Sequence, residues 1–203
     1  MGFYHRQYTN SNLVWGRMVD YRSLLYSIWS YIQIYEGWRG DGVVMRGEQN
    51  YYINYKFNNL ANPRLYTGGT FDVPHVGHLN FFKLCKQYFP TGHLTVALNE
   101  DDFIKEFKGK PPLFSYQERL KLLSVIDYID EIVPNFSGAD SKPSILRAEP
   151  NIIIIGNDWL EKDYCKQMGF DAQWLRERKI ALVYLPYTEG ISTTEIKKRM
   201  NNA

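Results

Sequence analysis

From residue 64 onward, short apolar runs alternate with stretches in which apolar residues return every three or four positions. Arg64-Leu65-Tyr66-Thr67 reads as a buried strand, and Leu79, Phe82, Leu84, Cys85, Tyr88 and Phe89 follow at helical spacing up to the turn Pro90-Thr91-Gly92. His93 to Leu98 reads as a second strand. Ser115-Tyr116-Gln117-Glu118 has the form of a capping box opening a helix through Leu120, Leu122, Leu123 and Val125, and Ile129 to Val133 reads as a third strand. Asn151-Ile152-Ile153-Ile154-Ile155-Gly156 is an unbroken β-branched run, the mark of a central strand covered on both faces, and Ile180 to Leu185 repeats it. Ser192-Thr193-Thr194-Glu195 again has capping-box spacing, ahead of a helix through Ile196, Lys197, Lys198 and Met200. This alternation predicts an α/β domain around a parallel sheet over residues 64–203, with ligands bound beyond the carboxyl ends of its strands.

Residues 1–63 differ in character. They are rich in tyrosine and tryptophan, including Trp15, Trp29 and Trp38, and hold a single lysine, Lys56. Asp20 is placed to cap a helix through Tyr21, Leu24, Leu25, Ile28, Trp29, Ile32 and Tyr35 that ends at Gly37, apolar over most of its circumference. A helical extension of this kind needs cover from the following domain, from a second subunit or from a membrane surface. Met45 is an internal candidate for the start of translation.

The densest chemistry lies in Gly68-Gly69-Thr70-Phe71-Asp72-Val73-Pro74-His75-Val76-Gly77-His78. It joins a strand to a helix, so the free N–H groups and positive dipole end of that helix face the loop and suit an anion. His75 and His78, three apart, share one face, and Gly77 leaves the approach open. Lys108-Gly109-Lys110-Pro111-Pro112 reads as a mobile loop that carries two cations over bound phosphates. Each feature has a plainer reading. Asp72, His75 and His78 are also a two-histidine, one-carboxylate set suited to a metal, the lysines with Lys105 suit a solvated loop, Ser192 to Glu195 suits a simple helix cap, and Trp159 suits packing.

These segments, in this order, resemble the cytidylyltransferase-like nucleotidyltransferases, whose signature is HxGH, and within them the bacterial glycerol-3-phosphate cytidylyltransferases. The resemblance rests on His75-Val76-Gly77-His78, Lys108-Gly109-Lys110 with Ser115 to Arg119, Gly156-Asn157-Asp158-Trp159, and Thr188-Glu189-Gly190-Ile191-Ser192-Thr193-Thr194. It implies a Rossmann-like, doubly wound sheet and transfer of CMP from CTP to a small phosphomonoester, glycerol 3-phosphate or a related alcohol phosphate. An adenylyltransferase acting on a sugar phosphate or cofactor precursor is the alternative, and a weakly catalytic nucleotide-binding protein is a further one. It also implies His75, His78, Lys108 and Lys110 as catalytic residues. Thr70, Phe71, Val76, Gly77, Arg119, Asp158, Trp159 and Tyr187 to Thr194 are then the nucleotide-binding residues, and Lys108, Lys142 and Asp72 bind the acceptor. Mg²⁺ accompanies the triphosphate, no residue is assigned as a metal ligand, and a homodimer is expected. Tyr187 departs from the pattern, standing where the family carries arginine, and Asn157 stands where aspartate is common.

Composition narrows the field further. A formal net charge of +2 in 203 residues gives no reason to expect nucleic acid. Cys85 and Cys165 stand far apart in no paired motif, which speaks against a disulfide framework or thiolate metal site. With no apolar run near the length of a bilayer span and no signal-peptide pattern at the N-terminus, a cytoplasmic location is expected. An acceptor phosphate has its second pKa near ~6 and is largely ionised at neutral pH, so no general base is required of the site.

Overall fold

The computed structural model describes residues 32–34, 45–47, 61–159, 164–186 and 188–202. The chain divides into two compact units, Met1–Ile32 and Gln33–Ala203. Ile32–Ile34 (β1) and Met45–Gly47 (β2) form a two-stranded sheet. The sequence predicts helix through Ile32, and here the backbone is extended instead, as β-branched Ile32 and Ile34 favour. The remainder of that helix lies outside the described residues.

Five strands make the central sheet: Arg64–Gly69 (β3), His93–Asn99 (β4), Glu131–Asn135 (β5), Ile152–Gly156 (β6) and Ala181–Leu185 (β7), in the order β5-β4-β3-β6-β7, with every pairing parallel. The order reverses between β3 and β6, which makes a doubly wound, Rossmann-like sheet with its switch point beside the histidine motif. Side chains alternate between the two faces at the strand period of two. Leu65, Leu94, Val96, Leu98, Ile152, Ile154 and Val183 meet Phe82 and Cys85 of helix Val76–Tyr88 (α1) and Leu123 of helix Tyr116–Ser124 (α3). Tyr66, Ala97, Ile153 and Ile155 meet Ile145, Tyr164 and Leu175 on the opposite face. Those residues come from helices Lys142–Ala148 (α4), Tyr164–Gln167 (α5) and Ala172–Glu177 (α6). The tetra-isoleucine run is therefore buried on both sides, as its composition predicts.

Two boundaries differ from the sequence reading for local reasons. The third strand begins at Glu131 instead of Ile129, because Ile129 closes a turn on Ile126 and Asp130 is bound to Leu94 through its backbone and its carboxylate. Its Pro134 lacks an N–H and is tolerated because β5 is an edge strand. Along α3, Leu123 is buried and Leu122 and Val125 are exposed, so the inward face is narrower than the apolar spacing suggests. Among the described residues no helix is long and apolar enough to cross a membrane.

Candidate active site

The site begins at the end of β3, where Gly68 and Gly69 lead into a turn that Phe71 takes with φ 45°. That left-handed conformation costs a non-glycine residue roughly 1–2 kcal/mol and needs support from its surroundings. Phe71 finds it by folding its ring back over Gly69, where an added Cβ would lie 2.8 Å from the ring, and by meeting His78 edge-on at 5.1 Å and Phe82 at 5.4 Å. Only glycine fits beneath that ring.

Helix α1 then opens with a capping box built from two imidazoles. His75 is the N-cap, and its Nδ1 accepts from the Gly77 amide at 3.1 Å, while His78 reaches back so that its Nδ1 accepts from the His75 amide at 3.3 Å. The rings stack with centroids 3.9 Å apart. Because each Nδ1 is an acceptor, each neutral ring carries its proton on Nε2 as a free donor. Burial holds His75 below its usual range; burial, then the neighbouring His75, takes His78 down to about 3. Both are therefore neutral Nε2–H donors at pH 7. Gly77 has a second reason to be glycine, since an added Cβ would lie 2.9 Å from the His75 ring and 3.3 Å from Ile191.

Helix Thr193–Asn201 (α7) brings the terminal motif to the same place. Ser192 caps it by accepting from the Glu195 amide at 3.1 Å, and Thr188 accepts from Asn80 of α1 at 3.3 Å. Two helix N-termini thus converge at one end of the sheet, an arrangement suited to a polyanion. Between them opens a cleft of about 790 Å³ whose lining includes Thr70, Gly77, His78, Lys108, Lys110, Asp158, Trp159, Thr188, Thr193 and Thr194.

Lys108 is the last residue of a helix, Asp101–Lys108 (α2), that ends on Gly109 at φ 69°. The sequence reading places it on a loop; the glycine that suggests a loop is the helix's left-handed cap. Its Nζ donates to Thr70 Oγ1 at 3.3 Å. Although the side chain is exposed as a whole, burial of its ammonium lowers the Lys108 pKa, partly offset by Asp72 and reinforced by Lys197, Arg119 and Lys110.

Two expected site residues, Arg119 and Lys142, do not line the cleft, and a third, Asp72, lines it with its carboxylate already engaged. Arg119 is fully buried and does not line the cleft: its guanidinium donates to the carbonyls of Thr70 (2.7 Å), Asn99 (2.8 Å) and Phe114 (3.0 Å) and pairs with Asp101 (2.6 Å). It braces the wall from behind. Lys142 lies outside the lining, with its Nζ 3.7 Å from Asp140, and Ser141 takes the place beside it in the cleft. Asp72 is buried, its Oδ1 accepting from the amides of Leu113 (2.5 Å) and Phe114 (3.0 Å) and its Oδ2 from Lys197. Burial alone would raise its pKa, but these bonds outweigh it and hold the carboxyl below its usual range. His75, Val76 and Glu189 to Ser192 are not among the residues that line the cleft, His75 meeting it through its stacked partner His78, and Tyr187 lies outside the described residues. Among the described residues no three His, Cys, Asp or Glu side chains gather to hold a metal ion.

Lys197, Asn99 and Asn135 line the cleft and were not singled out by sequence. For Lys197 the signal was present: Thr193, Lys197 and Asn201 share one face of α7 at i, i+4 and i+8. Asn135 donates to Asn99 at 2.8 Å and accepts from Ser144 at 2.9 Å, a buried chain that local sequence does not reveal.

A family model for cytidylyltransferase-like proteins matches residues 66–199. Over 138 residues the chain is 34% identical to glycerol-3-phosphate cytidylyltransferase of Bacillus subtilis (strain 168), covering 68% of this chain and 96% of that protein. Over 146 residues it is 31% identical to FAD synthase of Pyrococcus abyssi (strain GE5 / Orsay), covering 68% and 91%. Among solved structures, the lipopolysaccharide core biosynthesis protein from Thermoplasma volcanium GSS1 aligns with a TM-score of 0.46 at 24% identity, covering 61% of this chain and 97% of that one.

Proposed function

The chain belongs to the cytidylyltransferase-like family of nucleotidyltransferases, and we propose that residues 64–203 transfer CMP from CTP to a small phosphomonoester, glycerol 3-phosphate or a related alcohol phosphate. The observation that carries this reading is the pair of stacked, neutral imidazoles, whose Nε2–H donors are fixed by backbone bonds to their Nδ1 atoms. A neutral donor suits an oxygen that gains charge in the transition state, because its stabilisation does not depend on a proton being lost or gained.

In the proposed reaction an oxygen of the acceptor phosphate attacks the α-phosphorus in line. The new P–O bond forms as the bond to the β-phosphate oxygen breaks, and pyrophosphate leaves with the electron pair. No proton moves, since the acceptor is largely a dianion at neutral pH. His75 and His78 hold oxygens around the α-phosphorus, the two helix N-termini hold the remaining triphosphate oxygens, and Lys108 and Lys110 neutralise charge. Mg²⁺ accompanying the nucleotide would supply further positive charge against the triphosphate. Asp72 already accepts from two amides and Lys197, which disfavours it as a ligand for the metal.

The likeness to an FAD synthase supports a second reading, adenylyl transfer from ATP. Thermal shift with CTP, ATP, GTP and UTP, each with Mg²⁺, separates the two, because selective binding stabilises the native state by mass action. Stabilisation by CTP above the others is expected. Preference for ATP selects the second reading, and a flat response to all four contradicts both.

A further inference from the structure

Resting on the proposed transfer to a phosphomonoester, we infer that Lys197 and Lys108 together form the binding site for the acceptor's dianionic phosphate, with Asp72 as the residue that aims Lys197. The turn Thr70–Asp72 has an ammonium on each side. Lys108 Nζ touches Thr70 Oγ1, and Lys197 Nζ pairs with Asp72 Oδ2. Both lysines line the cleft. The third cation near this turn, Arg119, is sealed behind it and occupied by three carbonyls and Asp101. Lys108 and Lys197 are thus two ammonium groups that touch this turn and line the cleft, which Lys110 and Lys198 also line.

Asp72 offsets part of this charge, and a cationic excess remains because Lys108, Lys110 and Lys197 stand against one carboxylate. Its Oδ1 is held by two backbone amides and its Oδ2 by Lys197. An ammonium has three donors, and the bond to Asp72 uses one. The carboxylate therefore holds Lys197 at a fixed point while leaving N–H groups for a phosphate. Burial, and after it Lys197, Arg119 and Lys110 working against Asp72, lowers the pKa of Lys108, and a bound dianion would supply the opposite charge that this ammonium lacks. Lys197 stands about one turn into α7, past Thr193 and Thr194, and all three line the cleft with Lys108.

The test uses the full chain and two readouts. In steady-state kinetics with CTP and glycerol 3-phosphate, Lys197→Met is expected to raise the acceptor KM by about tenfold or more, the scale of one lost charge-assisted hydrogen bond, with the KM for CTP within about twofold. Lys197→Arg, which keeps the charge, should recover part of the loss. Asp72→Asn keeps an oxygen for the two amides and removes the charge; it should raise the acceptor KM in the parent and add nothing in the Lys197→Met background. A rise confined to the KM for CTP, or a lower melting temperature with unchanged KM values, overturns the inference. The second readout needs no turnover: inorganic phosphate should raise the melting temperature of the parent more at pH 8 than at pH 5, and Lys197→Met should remove that difference. If phosphate binding behaves so while CTP turnover is absent, the site stands and the proposed reaction fails. A phosphate response undiminished in Lys197→Met contradicts the site whatever the reaction.

Discussion

Replacing His78 by asparagine separates its two jobs. The structure gives Nδ1 a backbone role, accepting from the His75 amide at 3.3 Å, and leaves Nε2–H for the ligand. Asparagine's amide oxygen lies near the Nδ1 position and can still accept that bond, but it has nothing at Nε2. Losing one preorganised transition-state donor typically costs about 10²–10³ in kcat, or ~3–4 kcal/mol. His78→Asn is therefore expected to lower kcat by about that factor with a small change in melting temperature, whereas His78→Ala also loses the cap and about 0.5–2 kcal/mol of stability. The assay is continuous pyrophosphate release with CTP and the best acceptor, beside thermal unfolding of all three proteins. Since burial and His75 hold His78 at about 3, well below its usual value near ~6.5, the parent's rate should show no acidic limb from this residue between pH 5 and 8. His78→Asn with a near-normal rate, or an acidic limb in the parent that is separate from the acceptor's own ionisation near pH ~6 and is lost in His78→Asn, would refute the donor assignment.

Four further outcomes follow from the same geometry. Gly77→Ala adds a Cβ against the His75 ring, so kcat should fall at least about tenfold on the scale of a displaced donor while stability holds, because alanine's better helix propensity offsets part of the crowding; an unchanged kcat would show that the His75 ring position does not matter. Tyr66→Phe removes a buried hydroxyl that has no partner among the described residues and should stabilise the protein by about 1 kcal/mol in urea unfolding, with destabilisation counting against the assignment. Arg119→Met strands three carbonyls and should cost about 3 kcal/mol or more by the same measurement, where a contacting residue on the nucleotide would instead change KM with stability intact. Because the native state keeps His78 neutral where the unfolded chain takes a proton, its contribution to stability is full above about pH 6.5 and is lost as pH falls toward 3; His78→Asn should flatten that part of the stability profile relative to the parent.

What could be read from sequence was what depends on near neighbours. The strand-to-helix junction at Gly68 to His78, the caps at Ser115 and Ser192, and the doubly covered isoleucine strand all rest on residues within a turn or two of each other. The roles of Arg119 and Lys197 do not. Arg119 braces carbonyls 49 and 20 residues away, and Lys197 meets Asp72 across 125 positions, so only the folded sheet brings these partners together. Helix α2 was hidden for a different reason: Gly109, read as a loop residue, is the cap that ends it. At Ile32–Ile34 the apolar pattern fits either element, and β-branching tips it to strand.

Transfer of a nucleotidyl group by direct attack of a phosphomonoester can be followed by ³¹P NMR of a single reaction mixture holding the protein, Mg²⁺, CTP and glycerol 3-phosphate. The monoester and triphosphate signals should fall together while a pyrophosphate and a CDP-linked diphosphate diester appear in equal amounts, with no inorganic phosphate and no CDP. Release of inorganic phosphate, or the absence of a diester with CTP and with ATP across a panel of phosphomonoesters, would contradict it.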